Sequence, residues 1–277
     1  MNLAAGVDVG GTKIDACIAD PRTGEVVARD RIPTLPERPG EDVVDDCVAL
    51  VVRLAADRSL SSIGIGVCEL VDRAGQITSA FTLDLLGVDV AEKFRELGRV
   101  AVGSDVRAAA LAEARFGAGR GIDAPWLYVT VGTGISYSLV LEGRPFEGAR
   151  GNAIVVGAPP VERLASGLAL ARAAGYERAE EALADPACAD IVAAGAAALG
   201  TALATLANAL DPALIVVGGG LGLEARYREA AAETMRELIE AAGTRDVPVV
   251  PAGLGDLAGP LGAVIAGADR AAAASRS

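Results

Sequence analysis

Histidine is absent from all 277 residues, which removes an imidazole base, a Ser-His-Asp triad and a histidine-bound metal together. Carboxylates must therefore carry any acid–base work. Cysteine is scarce as well: Cys17, Cys47, Cys68 and Cys188 are scattered and never form a Cys-x-x-Cys pair, so neither a disulfide framework nor a zinc site is expected. Only two lysines occur, Lys13 and Lys93, and aromatic residues make up 3% of the chain. No basic run offsets the net charge of -12, a field that repels a phosphate backbone and argues against nucleic acid as a partner. No charged start leads into an apolar leader, and the apolar run 193–210 is broken by Gly200, Thr201, Thr205 and Asn208. The expectation is a soluble, cytoplasmic protein with no membrane partner.

What the chain does have is small aliphatic residues and glycine, enough for a large core and, by length, two lobes. Alternation over residues 5–9, 13–19 and 25–32 predicts a three-stranded meander that opens on a glycine turn. Residues 42–57 place Val43, Cys47, Leu50, Val51 and Leu54 at helical spacing, and residues 63–67 read as a buried strand. A strand at 100–102 ends on Gly103-Ser104-Asp105 and passes into an alanine-rich helix over 106–116, which puts Asp105 at a helix N-terminus, where a carboxylate is favoured. A second hairpin, 126–131 and 135–141, closes on Gly132-Thr133-Gly134. Helices are expected across 161–210 and 224–242, strands at 214–217 and 247–250, and a last helix from Leu261. Two hairpins, each with a Gly-Thr element, suggest an internally duplicated fold. The lobes are expected at residues 1–107, joined by the helix of 261–277, and at 108–260.

Three glycine-rich segments invite a phosphate. In Asp8-Val9-Gly10-Gly11-Thr12-Lys13, the glycines permit close backbone approach, while amides, the Thr12 hydroxyl and the Lys13 ammonium are suitable donors. Thr130-Val131-Gly132-Thr133-Gly134 repeats the device, and Gly218-Gly219-Gly220 follows an apolar strand, where nucleotides approach in α/β sheets. Each segment alone also suits an ordinary turn. An aspartate before an alanine helix, such as Asp105, is likewise compatible with a plain N-cap.

Together these segments resemble the ROK family of bacterial sugar kinases, repressors and related proteins, within the actin-like ATPase superfamily. Residues 8–13 resemble its first phosphate motif, and residues 103–106 with the helix 108–113 resemble its Asn-Asp-Ala segment. Residues 131–135 are similar to the second phosphate motif, 208–220 to the adenosine segment, and 259–263 to the C-terminal turn. The resemblance implies an α/β fold of the actin-like, ribonuclease H-like kind, duplicated into two lobes around a cleft. It further implies ATP and Mg2+ as cofactors, Asp8 as the residue that helps position magnesium, Asp105 as general base, and a homodimer. With no DNA-binding helix-turn-helix ahead of Asp8, the kinase branch is expected.

Departures from the family pattern concentrate on the acceptor side. Val155 and Ala158 stand where the family has a sugar-reading Glu and His after Gly151-Asn152-Ala153, and its zinc loop is deleted, so that Glu162 and Ala165-Ser166-Gly167 follow directly. Ser104 replaces Asn, Cys68-Glu69 replaces Pro-Gly, and Ser136 and Ser138 replace glycines. The expected acceptor residues are Glu69, Ser104, Asp105, Asn152 and Glu162. Glu69 is expected either to read an ammonium or hydroxyl, or to lie solvated in a loop. The expected activity is phosphorylation of a primary hydroxyl on an unusual sugar, such as an amino sugar, or on a C7 cyclitol. A glucokinase-like enzyme and a non-catalytic sugar-binding or regulatory protein are the alternatives.

Overall fold

The computed structural model describes residues 2–156 and 159–275. The chain forms two compact units, one of residues 1–116, 147–153 and 257–277, the other of 117–146 and 154–256.

The first unit is built on a five-stranded sheet of order β3-β2-β1-β4-β5. The alternating sequence forms the meander β1 (Ala4–Val9), β2 (Lys13–Ala19) and β3 (Val26–Pro33), and α1 (Gly40–Ala55) covers it with Val43, Cys47, Leu50 and Val51. Strand β4 (Ser62–Val67) runs parallel to β1 and, after the short α2 (Val90–Lys93), β5 (Arg99–Ser104) runs parallel to β4. Parallel pairing buries a strand on both faces, which is why β4 is continuously apolar or glycine after Ser62. Helix α3 (Asp105–Phe116) follows β5 without a loop, and the C-terminal α11 (Ala258–Ala274) lies against α3, β1 and β4. That approach is backbone to backbone: a Cβ on Gly64 would strike the Ala263 carbonyl and one on Gly262 the Ala108 carbonyl. The boundary expected after residue 107 falls inside α3, which stays whole within the first unit because its alanine face is packed on α11.

In the second unit, the sheet order is β10-β9-β6-β7-β8. The hairpin β6 (Trp126–Val131) and β7 (Ile135–Leu141) extends to the two-residue β8 (Arg144–Pro145), while β9 (Ile215–Gly218) and β10 (Val249–Pro251) add parallel strands on the other side. Helices α4 (Pro159–Ala165), α5 (Gly167–Ala174), α6 (Ala179–Ala184) and α7 (Ala189–Leu210) precede β9. Helices α8 (Gly220–Leu223), α9 (Ala225–Leu238) and α10 (Ala242–Arg245) follow it. With the turn before it, α7 is long and apolar enough to cross a membrane. In the structure its Leu199 and Leu203 instead lie in the core with Val129, Ile215 and Met235. Both sheets thus open on an antiparallel hairpin and add parallel strands behind its first strand, the duplication expected from the two Gly-Thr turns.

Candidate active site

Parallel pairing decides which residues meet at the carboxyl edge of the first sheet. Asp8 pairs with Gly66, Gly66 with Gly103, and Val67 with Ser104, so the ends of β1, β4 and β5 lie in one row. This row holds Asp8, the turn 10–13, Cys68-Glu69 and Ser104-Asp105. The turn is closed by the Gly10 amide donating to the Lys13 carbonyl (3.0 Å). It is tied to the end of β3 by the Thr34 amide donating to Thr12 O (3.1 Å) and the Thr34 hydroxyl donating to Gly10 O (2.6 Å). Gly259, at the start of α11, lies against the Asp8 carboxylate closely enough that a Cβ there would collide with it.

Asp105 is the first residue of α3, and its Oδ1 accepts from the Val106 amide (2.6 Å) and lies 3.4 Å from the buried Ser104 hydroxyl. Burial nevertheless dominates, raising its pKa from 3.8 to about 6 against the opposing pull of those two donors and of Arg107, while the Glu69 charge pushes the same way as burial. The carboxyl therefore remains mostly ionised at neutral pH, as its place at a helix N-terminus beside a neutral serine leads one to expect, but it takes up a proton more readily than an ordinary aspartate. A value near the operating pH suits a general base better than an ordinary aspartate value does.

Glu69 is neither a solvated loop residue nor an open reader of substrate. It is 1% exposed, and its Oε2 accepts from the Ser79 hydroxyl and the Phe81 amide (2.8 Å), its Oε1 from the amides of Thr82 (2.6 Å) and Leu83 (2.8 Å). Four donors occupy the carboxylate, so Glu69 shapes residues 79–83 and leaves no free oxygen aimed outward. That loop carries Thr82 onto the first glycine turn, where a Cβ on Gly11 would come within 2.5 Å of the Thr82 methyl. Asn152 is exposed, on the segment 147–153 of the same unit.

At the carboxyl edge of the second sheet, Thr130 pairs with Gly218, bringing the turns 132–134 and 219–220 together. Gly219 has φ +79, and a Cβ there would lie 2.5 Å from Val131 O and 2.8 Å from Thr130 Oγ1, so only glycine lets the two turns close on each other. Gly132 and Gly220 face open space, with no atom within 4 Å of a built Cβ. The Gly132 carbonyl accepts from the amide of Gly167 (2.7 Å), and exposed Thr133 tops the turn. Glu162, on α4, reaches Gly134, where a Cβ would sit 2.5 Å from its Oε1. Val155 bridges to Ser136 and is exposed, whereas Ser138 is fully buried inside β7 against Tyr128. Ala158, expected in place of a histidine, lies outside the described residues.

The sequence signature of the ROK family matches residues 4–269. The chain belongs to the ROK family. It is 32% identical over 82% of its length to the bifunctional enzyme NanE/NanK of Brucella melitensis, and spans about half of that relative, 47%. It is 29% identical to a glucokinase of Streptomyces coelicolor, covering 95% of this chain and 96% of the relative. The solved ROK family glucokinase of Streptomyces griseus, in complex with glucose and AMPPNP, superposes with a TM-score of 0.87 at 27% identity over 96% of this chain and 99% of the other. The actin-like α/β fold is therefore established for this chain. The residues at its two sheet edges are those through which it resembles the family at the sequence level.

Sequence reasoning missed Ser79, Thr82 and Arg107. Ser79 and Thr82 sit in a stretch with no periodicity, and their placement depends on a carboxylate ten or more residues away. Arg107 did leave a signal: it is the one charged residue between Asp105 and Glu113 in an alanine helix.

Proposed function

We propose that this chain is an ATP-dependent kinase that phosphorylates a primary hydroxyl of a sugar or sugar-like polyol, with Asp105 as general base. The observation that carries the reading is the row formed by Asp8, the 10–13 turn and Asp105 at one sheet edge, with Asp105 tuned to about 6 by burial. Phosphoryl transfer asks the protein for a positioned hydroxyl, donors for phosphate oxygens and a cation, all available without histidine.

In the first unit the closed 10–13 turn, with Thr12 and Lys13 as side-chain donors, suits a phosphate group. In the second, the open space at Gly132 and Gly220, with Thr130 and Thr133 as donors, suits a phosphate or nucleoside. Asp8 would hold Mg2+, which favours one or two carboxylates together with phosphate oxygens. When bound, magnesium supplies neutralisation of phosphate charge. Asp105 accepts the hydroxyl proton at its carboxylate, and Ser104 and the Val106 amide hold that carboxylate in place.

For the acceptor we favour an amino sugar or a hydroxymethyl C7 cyclitol, because exposed apolar Val155 stands where the family carries a sugar-reading Glu. A buried hydroxyl deprived of its partner costs about 1–3 kcal/mol, which would disfavour glucose by roughly tenfold per contact. The similarity to glucokinases supports the second reading, a hexose kinase with different contacts. Comparing kcat/KM for glucose, an amino-substituted glucose and a hydroxymethyl cyclitol decides between them. If glucose is the best of the three, the rewritten-acceptor reading is wrong. If none accepts phosphate from ATP, the kinase reading falls with it.

A further inference from the structure

Residues 147–153 leave β8 of the second unit in sequence and return to it at Ile154, yet pack with the first unit. One side chain bonds this segment to the rest of the first unit. Arg107, a half-turn beyond Asp105 on α3, donates from Nη1 to Gly151 O (2.6 Å) and from Nη2 to Val71 O (3.3 Å), joining this segment to the loop that begins at Cys68-Glu69. Gly151 is buried at φ +83, and a Cβ there would strike Val71 O and come within 2.9 Å of Asp72 Cα, so the two backbones touch directly beneath the guanidinium. A further tie, Arg73 to Glu147 (3.3 Å), joins two exposed side chains and contributes little.

We propose that Arg107 is a positioning residue of the phosphoryl-acceptor side: it pins residues 147–153, and with them Asn152, against the loop at Val71, and keeps a cationic group beside Asp105. This rests on the reading of Asp105 as the base. The planar fork suits the task, since one guanidinium donates from two separate nitrogens to carbonyls on two segments, where an ammonium has all its donors on a single atom. The charge acts on Asp105 from its own helix. Facing Asp105 are Ser104, from the end of β5, and Glu69 and Cys68, from the segment after β4; Asp8 bears on the same Cys68 from β1. Arg107 is itself faced by Glu147, and burial draws its pKa down while Glu147 and Asp105 push it back up. Among the groups acting on the Asp105 charge, Arg107 supplies the positive one, opposing Glu69.

The test compares the wild-type chain with Arg107→Met and Arg107→Lys by amide hydrogen exchange and by pH-dependent kinetics. In Arg107→Met, exchange across 147–153 should quicken by about tenfold or more, reporting local release. The acceptor KM should rise by roughly fivefold or more, and the acidic limb of kcat/KM should move to higher pH by about half a unit, because Asp105 loses its cationic neighbour. Arg107→Lys should keep the limb at its wild-type position while recovering only part of the KM, and it serves if the Met variant does not fold. Unchanged exchange in Arg107→Met overturns the pin. Quickened exchange with the limb and KM unmoved also overturns the proposal, since Arg107 is then structural only. Should the wild-type chain phosphorylate none of the polyols tested, the kinase reading fails on its own, and exchange still decides whether Arg107 holds the segment.

Discussion

Replacing Asp105 by Asn separates catalysis from stability in a way that few other substitutions in this chain would. Asn keeps the volume and an oxygen to accept the Val106 amide, but cannot take a proton from a hydroxyl, so turnover should fall by about 10²-fold or more. Stability should move the other way. The carboxyl titrates near 3.8 when unfolded and at about 6 when folded. Below pH ~4 both states hold the proton and the wild-type and Asn proteins should be equally stable. As pH rises from about 4 to about 6, the unfolded chain has released the proton while the folded chain still holds it, so wild-type stability declines through that window and stays reduced above it. At roughly 1.4 kcal/mol per unit, and allowing for the partial exposure of the side chain, the full effect is on the order of 2–3 kcal/mol. For a chain of this size that is an advantage of several degrees in Tm for Asp105→Asn at neutral pH, closing at acid pH. Thermal unfolding of both proteins from pH 3.5 to 7.5, alongside single-turnover kinetics, checks both halves. Near wild-type turnover would refute the base, and a Tm difference independent of pH would refute the burial penalty.

Glu69→Gln should cost about 2–4 kcal/mol in urea unfolding and lower turnover, because an amide nitrogen would face donors that the carboxylate now satisfies; a neutral effect would mean the 79–83 loop does not depend on it. Gly219→Ala and Gly220→Ala should part company. The first forces a side chain to φ +79 and onto Val131 O and should destabilise by about 2 kcal/mol or more, whereas the second meets open space and should leave stability within roughly 0.5 kcal/mol while raising the KM for ATP. An unchanged KM for ATP in Gly220→Ala would remove that turn from the nucleotide site.

Legibility from sequence followed the physical range of each signal. The strands, the paired glycine turns and the helix beginning at Asp105 depend on neighbours in the chain, and period-2 alternation or a Gly-Thr step records them locally. The edge row of Asp8, Gly66 and Ser104 depends instead on the parallel register of β1, β4 and β5, which no local pattern records. Glu69 defeated the reading because its role is fixed by donors at 79, 81, 82 and 83, positions with no repeat to mark them. A glutamate in a loop is ordinarily solvated, and only the loop's return over it makes burial affordable: three amides and a hydroxyl replace the water it loses. Asp105 is a related case, as a helix start and a serine are visible in sequence while the burial that raises its pKa to about 6 is not. Residues whose chemistry is set by one adjacent element were therefore readable, and those set by two converging loops were not. Arg107 lies between these cases. Its isolation in an alanine helix marked it as unusual, but the two carbonyls that give it work, Val71 and Gly151, come from segments 36 and 44 residues away.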